Sequence, residues 1–217
     1  MEGRTFPLLM ETDQQRCYDD GGAPLDCAET GQDGALAKLP AAAASRFQDH
    51  GDTVADTLTG AVWSRDANPA GFPLTWEEAR SYAADMARHK AYGYDNWQLP
   101  PRRVLFSLLS HQNTGPALPA GHPFSNVFQG YYWTDDSSSR FPSQAWHVHL
   151  GGGRIPRAGK ADSFLVWPVS LPETKKTPAT QSGEQRFSIR DGGILDSLTG
   201  LVWSRNADIA TGPMTWK

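Results

Sequence analysis

The sequence predicts an α+β domain in which two helices accompany short antiparallel strands and long loops. Two observations carry this prediction. Apolar residues recur at helical spacing in two separate stretches, and short runs rich in aromatic and β-branched residues lie outside them. The chain also contains 21 Gly and 16 Pro, a content that favours many turns.

The two predicted helices begin in different ways. Thr75 and Glu78 match the pattern of a capping box, and apolar residues then recur at helical spacing up to about Lys90. The second helix follows an extended entry, and Pro101 suits its first turn. Its predicted buried stripe consists of Val104, Leu105, Leu108 and Leu109.

Four segments are predicted to form strands. A short hairpin is expected around the turn at Leu58, Thr59 and Gly60, because hydrophobicity alternates on either side of it. A long loop over residues 112–130 separates the second helix from the remaining strands. Those strands are expected at residues 131–136, 145–150 and 163–169.

The chain resembles itself at a long interval. Residues 46–77 and 186–217 align without a gap, so that Trp63 matches Trp203, and nearly half of the aligned residues are identical. This spacing is too long for a solenoid repeat and indicates a tandem array of whole domains. The predicted parts are an N-terminal extension (1–45), a complete domain (46–170), a polar linker (171–185) and the truncated start of a second copy (186–217).

Charge and hydrophobicity exclude some classes of protein. The net charge of −4 argues against nucleic acid as a partner, because phosphate binding needs a basic face. No apolar run is long enough to predict a transmembrane segment, and the first residues lack the apolar core of a signal peptide. The protein is therefore either cytoplasmic or exported by a signal that this chain does not include.

The two cysteines are close in sequence. Cys17 and Cys27 flank a segment containing Gly21, Gly22 and Pro24, and a turn there would bring the thiols together. A disulfide is predicted, with two free thiols as the alternative. A bridge would imply an oxidising compartment.

Five motifs occur in order: DTLTGAVWSRD, LTWEEARSYA, DNWQLPPRRVLFSLL, YYWTDD and AWHVHLGGGRI. Together they resemble the C-terminal domain family of the Legionella collagen-like adhesin, over residues 17–170 and again from 186. The resemblance implies a C-type lectin-like fold of the kind used by formylglycine-generating enzymes. It also implies a secreted, periplasmic or cell-surface location, attachment to glycans or a host surface, including sulfated glycans, and display as a homo-oligomer.

Two departures limit what the resemblance carries. The triplets by which calcium-dependent lectins chelate sugars are absent, and no cysteine follows Cys27, although formylglycine-generating enzymes need a late cysteine pair. No nucleophile elbow, P-loop or dinucleotide fingerprint occurs either. We therefore expect a binding module without enzymatic activity, cofactor or metal. The alternatives are a self-assembly module without a carbohydrate ligand and, less favoured, an envelope enzyme on the same fold.

The predicted binding face lies in residues 137–161, which carry four cationic side chains and no Asp or Glu. Arginine offers forked hydrogen bonds to sulfate or carboxylate. Period-two alternation places both histidines of this segment on one strand face, where protonation would strengthen anion binding. The alternative is an ordinary solvated strand. The predicted ligand-binding residues are Trp133, Asp135, Arg140, His147, His149, Arg154, Arg157 and Lys160.

Metal binding is an alternative use of some of these residues. His147 and His149 form a His-x-His pair, but no spacing selects a further ligand among His122, Asp135 and Asp136. A second set, Asp52, Asp56 and Asp66, is expected to form turns and not a calcium cage.

Overall fold

The computed structural model describes residues 12–36, 46–172 and 186–214. The start of the predicted N-terminal extension, its residues 37–45 and most of the predicted linker lie outside the described residues. Within the described ranges, no helix has the length and apolar character needed to cross a membrane.

The N-terminal extension is stapled by a disulfide, as predicted. Cys17 and Cys27 are bonded, with their Cα atoms 5.2 Å apart, and the Cys17 side chain is buried. The extension contacts the domain that follows, since the amide of Gln112 donates to the backbone carbonyl of Asp13 at 2.8 Å. Its elements are β1 (Cys17–Tyr18), β2 (Pro24–Leu25) and the single-turn helix α1 (Asp33–Leu36).

The main domain contains a five-stranded antiparallel sheet that joins its first strands to its last. The predicted hairpin forms, and Val169 pairs with Trp63 on one side and with Gln98 on the other. The last strand of the domain is therefore inserted between strands from its first half. In spatial order the strands are β3 (Phe47–Asp49), β4 (Thr53–Asp56), β5 (Val62–Ser64), β10 (Val169–Ser170) and β6 (Trp97–Gln98).

A second antiparallel sheet has three strands: β7 (Tyr131–Ser137), β8 (Gln144–His149) and β9 (Arg157–Gly159). The first two confirm prediction. The strand expected over residues 163–169 forms only at its end, because Phe164 and Leu165 make isolated bridges to Leu74 and Tyr132 instead of joining a ladder. The third strand was not predicted, since Arg-Ala-Gly carries no strand pattern.

Both predicted helices exist, and the second is short. Helix α2 (Trp76–Arg88) begins at the capping box, where the Thr75 N–H donates to the Glu78 carboxylate at 2.9 Å. The hydrogen bond from the Thr75 hydroxyl, and after it this backbone contact, lower the pKa of Glu78. Helix α3 (Arg102–Phe106) ends before Leu108 and Leu109, which continue in single turns. All four residues of the predicted stripe are nevertheless buried.

The three-stranded sheet lies between two apolar clusters. On one side Tyr132 and Val148 pack with Trp63 and Trp167, whose ring centroids are 5.4 Å apart. The other side carries the second cluster, which comprises Trp76, Ala79, Leu99, Trp133, Ala145 and Val166. Because the sheet is covered on both faces, side chains of either face are withdrawn from solvent except near its ends.

Asp56 and Asp66 stabilise turns through their side-chain hydrogen bonds, as predicted. Buried Asp56 accepts two hydrogen bonds from Arg46, at 2.9 and 2.8 Å, and a third from the Thr59 hydroxyl at 2.8 Å. Asp66 accepts from the backbone N–H of Asn68. Across the described residues, no group of three or more His, Cys, Asp or Glu side chains is arranged to hold a metal ion.

Residues 186–214 form a separate three-stranded sheet: β11 (Phe187–Arg190), β12 (Gly193–Asp196) and β13 (Val202–Trp203). Phe187 lies opposite Asp196, as Phe47 lies opposite Asp56. Arg186 donates two 2.8 Å hydrogen bonds to the Asp196 carboxylate. These bonds and that of Thr199 lower the pKa of Asp196.

Candidate ligand-binding face

Three arginines and two aromatic rings alternate along one end of the three-stranded sheet. The guanidinium of Arg102 lies 4.5 Å from the Trp146 ring centroid, and that of Arg157 lies 5.5 Å from the same ring. Arg157 also lies 4.7 Å from the Phe141 ring, which Arg140 approaches at 5.4 Å. We call these five residues the cation–aromatic row.

Strand register and one helix start bring the row together. Trp146 of β8 lies directly opposite Arg157 of β9, so the two side chains share a sheet face. Arg102 is the first residue of α3, and its backbone N–H donates to the carboxylate of Asp136 at the end of β7. The third component is the turn between β7 and β8, in which the Phe141 N–H donates to the Ser138 hydroxyl at 3.2 Å.

The row carries three positive charges, and the carboxylate of Asp136 beside it accepts from the Arg102 backbone N–H. Among the described residues, no carboxylate lies within 4.0 Å of the guanidinium groups of Arg102, Arg140 or Arg157. Arg140 and Arg157 are exposed, and so is Phe141. A guanidinium stacked on a ring keeps its in-plane N–H donors free, so the row is suited to forked hydrogen bonds with sulfate or carboxylate.

Lys160 lies on the opposite side of the sheet from the row. Its ammonium is 4.1 Å from the ring centroid of Trp76, which Arg80 also approaches, at 4.8 Å. Arg80 in turn donates to the Asp135 carboxylate at 3.1 Å. Burial raises the pKa of Asp135, and the Arg80 charge opposes that shift. The structure therefore places Lys160, and Asp135 with it, on the face opposite Arg140 and Arg157 of the row.

His147 is buried in an aromatic box and is not part of an exposed basic face. Its ring centroid lies 4.5 Å from that of Phe164, 4.9 Å from Tyr131 and 5.8 Å from Trp133. Burial lowers the pKa of His147 to about 4, and the neighbouring His149 adds to this effect. The expectation that this imidazole protonates near neutral pH to attract anions is therefore wrong.

The other predicted site residues also lie outside the row. Trp133 is fully buried, and its indole N–H donates to the Leu74 carbonyl at 2.8 Å, so neither ring face is open for a sugar. His149 is half-buried against Tyr131, with ring centroids 4.5 Å apart. Arg154 is exposed opposite His149, at the other end of β8. Of the eight predicted residues, the row contains Arg140 and Arg157.

Sequence reasoning missed Arg102, Phe141 and Trp146. Period-two alternation places Trp146 on the strand face away from His147 and His149, and the structure agrees. The missing information was the β8–β9 register, which puts Arg157 opposite Trp146. No local pattern indicates that Arg102, from another segment, completes the row.

A comparison with known protein families identifies the family of this domain. Residues 52–170 match the sequence profile of the Lcl C-terminal domain. The chain belongs to this family. The matched span of this Lcl C-terminal domain begins just before β4, ends with β10 and includes the whole row. Among curated proteins, none matches the chain. Family membership points to an adhesin-related module.

Proposed function

We propose that this Lcl C-terminal domain is a non-enzymatic adhesion module of the bacterial cell envelope that binds anionic glycans through the cation–aromatic row. The observation that carries the proposal is the alternation of Arg102, Trp146, Arg157, Phe141 and Arg140, in which no carboxylate of the described residues lies within 4.0 Å of a guanidinium group. We further propose that the α+β domain is a C-type lectin-like fold. The disulfide supports an extracytoplasmic location, because such bonds persist in oxidising compartments.

The chemistry of the row favours sulfate or carboxylate groups on a sugar chain. Stacking on Trp146 and Phe141 restrains the guanidinium groups, so less side-chain freedom is lost when they bind an anion. A hydrogen bond to a charged group contributes about 1.5–3 kcal/mol, which corresponds to roughly tenfold or more in affinity. The exposed edge of Phe141 adds an apolar contact for a sugar ring.

The test is binding of the full chain to immobilised sulfated glycans and to neutral counterparts. The variant Arg140→Ala/Arg157→Ala removes two cations of the row. Its matched control is Arg16→Ala combined with Arg205→Ala, which removes the same charge from exposed arginines elsewhere. We expect about a hundredfold loss of affinity for the row variant and a much smaller loss for the control.

The binding experiment is repeated at rising ionic strength and in the presence of a chelator. Binding by exposed arginines weakens as ionic strength rises, because counterions screen the charges. A chelator should have no effect. Equal losses in the row variant and the control would mean that general charge carries the binding. No binding of any sulfated glycan by folded protein would reject the proposed function.

A further inference from the structure

A group of aromatic and carboxylate side chains lies outside the cation–aromatic row, around the 3₁₀ turn that follows α2. The turn spans Ala91–Gly93, and Tyr92 at its centre is 44% exposed. The Tyr92 ring meets Trp97 edge to face, with ring centroids 6.0 Å apart. Trp97 itself is buried, and its indole N–H donates to the Ala91 carbonyl at 2.7 Å. The ring of Tyr92 is therefore presented to solvent on a fixed base.

The backbone of this turn is strained. Lys90 has a φ of 49° and Tyr92 a φ of 53°, which is left-handed backbone that residues with a Cβ rarely adopt. Such backbone persists only where its surroundings hold it, and it is concentrated at functional sites. The bond from the Trp97 indole and the 2.9 Å bond from the Gly93 N–H to the Lys90 carbonyl hold this turn. A glycine would form it without strain, so the turn itself does not require a tyrosine.

Two carboxylates and a second phenol lie near Tyr92. Burial raises the pKa of Tyr92, and the charges of Asp52 and Asp66 raise it further. Burial also raises the pKa of the half-buried Tyr82 of α2, with further contributions from Tyr92 and Asp66. Both phenols are therefore close to the Asp66 carboxylate. Among the described residues, no Lys, Arg or His nitrogen lies within 4.0 Å of the Asp52 or Asp66 carboxylate.

Asp66 is held in place by hydrogen bonds from two loops. Its Oδ1 accepts from the backbone N–H of Asn68 at 2.8 Å, and its Oδ2 accepts from the side-chain amide of Asn126 at 3.1 Å. An isolated bridge between Asp66 and Ser125 brings the second loop alongside. A carboxylate offers about four acceptor positions and an amide two N–H donors, so both groups keep capacity for a ligand. Asn126 is exposed and Asp66 half-buried, which leaves that capacity open to solvent.

We propose that this cluster is a second ligand site, which binds neutral sugar residues. Its members are Tyr82, Tyr92, Asp52, Asp66 and Asn126. The exposed ring of Tyr92 offers an apolar face to the C–H groups of a sugar ring. The Asp66 carboxylate beside the Asn126 amide matches neighbouring sugar hydroxyls, because one group accepts and the other donates. A sulfated or carboxylated sugar would meet two negative charges here, so the site and the row favour different sugars.

The first test measures binding of the full chain to immobilised neutral oligosaccharides of glucose, galactose, mannose and N-acetylglucosamine. Tyr92→Ala removes the stacking ring, and Asp66→Asn removes the charge of the acceptor. Each should weaken binding by at least about tenfold, whereas Tyr92→Phe keeps the ring and should retain most of the affinity. The matched controls are Phe187→Ala and Asp191→Asn, which change an exposed aromatic ring and an exposed carboxylate elsewhere and should leave binding unchanged.

A second test locates the site by nuclear magnetic resonance. A neutral oligosaccharide that binds should shift the indole N–H signal of Trp97, which contacts Tyr92, and should leave that of Trp146 in the row in place. A folded chain that binds none of these oligosaccharides overturns the proposal. So does equal affinity in Tyr92→Ala and Phe187→Ala, or a shift of the Trp146 signal in place of the Trp97 signal. Binding of neutral sugars should be insensitive to salt and binding by the row sensitive to it, so either site can fail without the other.

Discussion

Lowering the pH should destabilise this domain through one buried imidazole. His147 is 3% exposed, its Nδ1 has no hydrogen-bond partner among the described residues, and the rings of Tyr131 and Phe164 pack against it. Burial lowers its pKa from an ordinary value of 6.5 to about 4, an effect to which His149 adds and which Asp162 and the Arg157 backbone oppose. The folded protein therefore holds His147 neutral, whereas the unfolded chain protonates it below about pH 6.5.

The sign and size of the effect follow from linkage. Between about pH 6.5 and 4 the unfolded state binds the extra proton, so stability is present above this window and is lost as the pH falls through it. A difference of about 2.5 pH units corresponds to roughly 3 kcal/mol of unfolding free energy. A loss of that size is a large fraction of the stability of a typical domain.

The assay is urea unfolding followed by tryptophan fluorescence, at a series of pH values from 7 to 4. His147→Gln removes the titrating group while keeping a polar side chain, and it should flatten the pH dependence by about 2–3 kcal/mol. His50→Gln is the control, because it makes the same replacement at an exposed position outside the aromatic box. Some slope should remain in every variant, since burial also lowers the pKa of His122. An unchanged slope in His147→Gln would refute the reasoning.

Three further predictions concern the fold. Asp56→Ala should lower the free energy of unfolding in urea by about 3–5 kcal/mol, because it leaves the largely buried guanidinium of Arg46 without its carboxylate partner. A loss below about 1 kcal/mol would contradict this prediction. Trp133→Ala should cost about 3–5 kcal/mol in the same assay, because the ring is fully buried in the core. The fraction of the variant that stays folded should keep its affinity for glycans. A selective loss of binding would identify Trp133 as a ligand-binding residue after all. Cys17→Ser should remove about 2–3 kcal/mol of local stability from residues 12–36. Proteolysis of that segment should become faster, with little change in the melting temperature of the main domain. Equal cleavage rates in the variant and the parent protein would argue against a stabilising bridge.

The elements predicted well are those encoded by nearby residues. Thr75 and Glu78 are three positions apart and fix the start of α2 by their own hydrogen bond. The turn at Asp56 to Thr59 is likewise closed by side chains within one short segment. Such signals depend little on the rest of the chain, so the sequence is enough to read them.

The elements predicted poorly depend on contacts between distant segments. Residues 163–169 have the composition of a strand, but Phe164 and Leu165 make only isolated bridges, and of this segment only Val169 joins a ladder, between β5 and β6. Composition also placed four cations in one segment, whereas the sheet sends Arg157 and Lys160 to opposite sides. Pairing and register are tertiary properties, and a period-two pattern does not contain them.

The position of Trp146 explains why the row exists at all. Alternation gives Trp146 the same sheet face as Val148, which lies in the first core cluster. Trp146 is near the start of β8 and remains half-buried, covered by the guanidinium groups of Arg102 and Arg157 in place of apolar side chains. Arginine can cover a ring with its planar head and still present N–H donors to solvent. The residues that finish the core at this end of the sheet are therefore the same residues that form the proposed binding face.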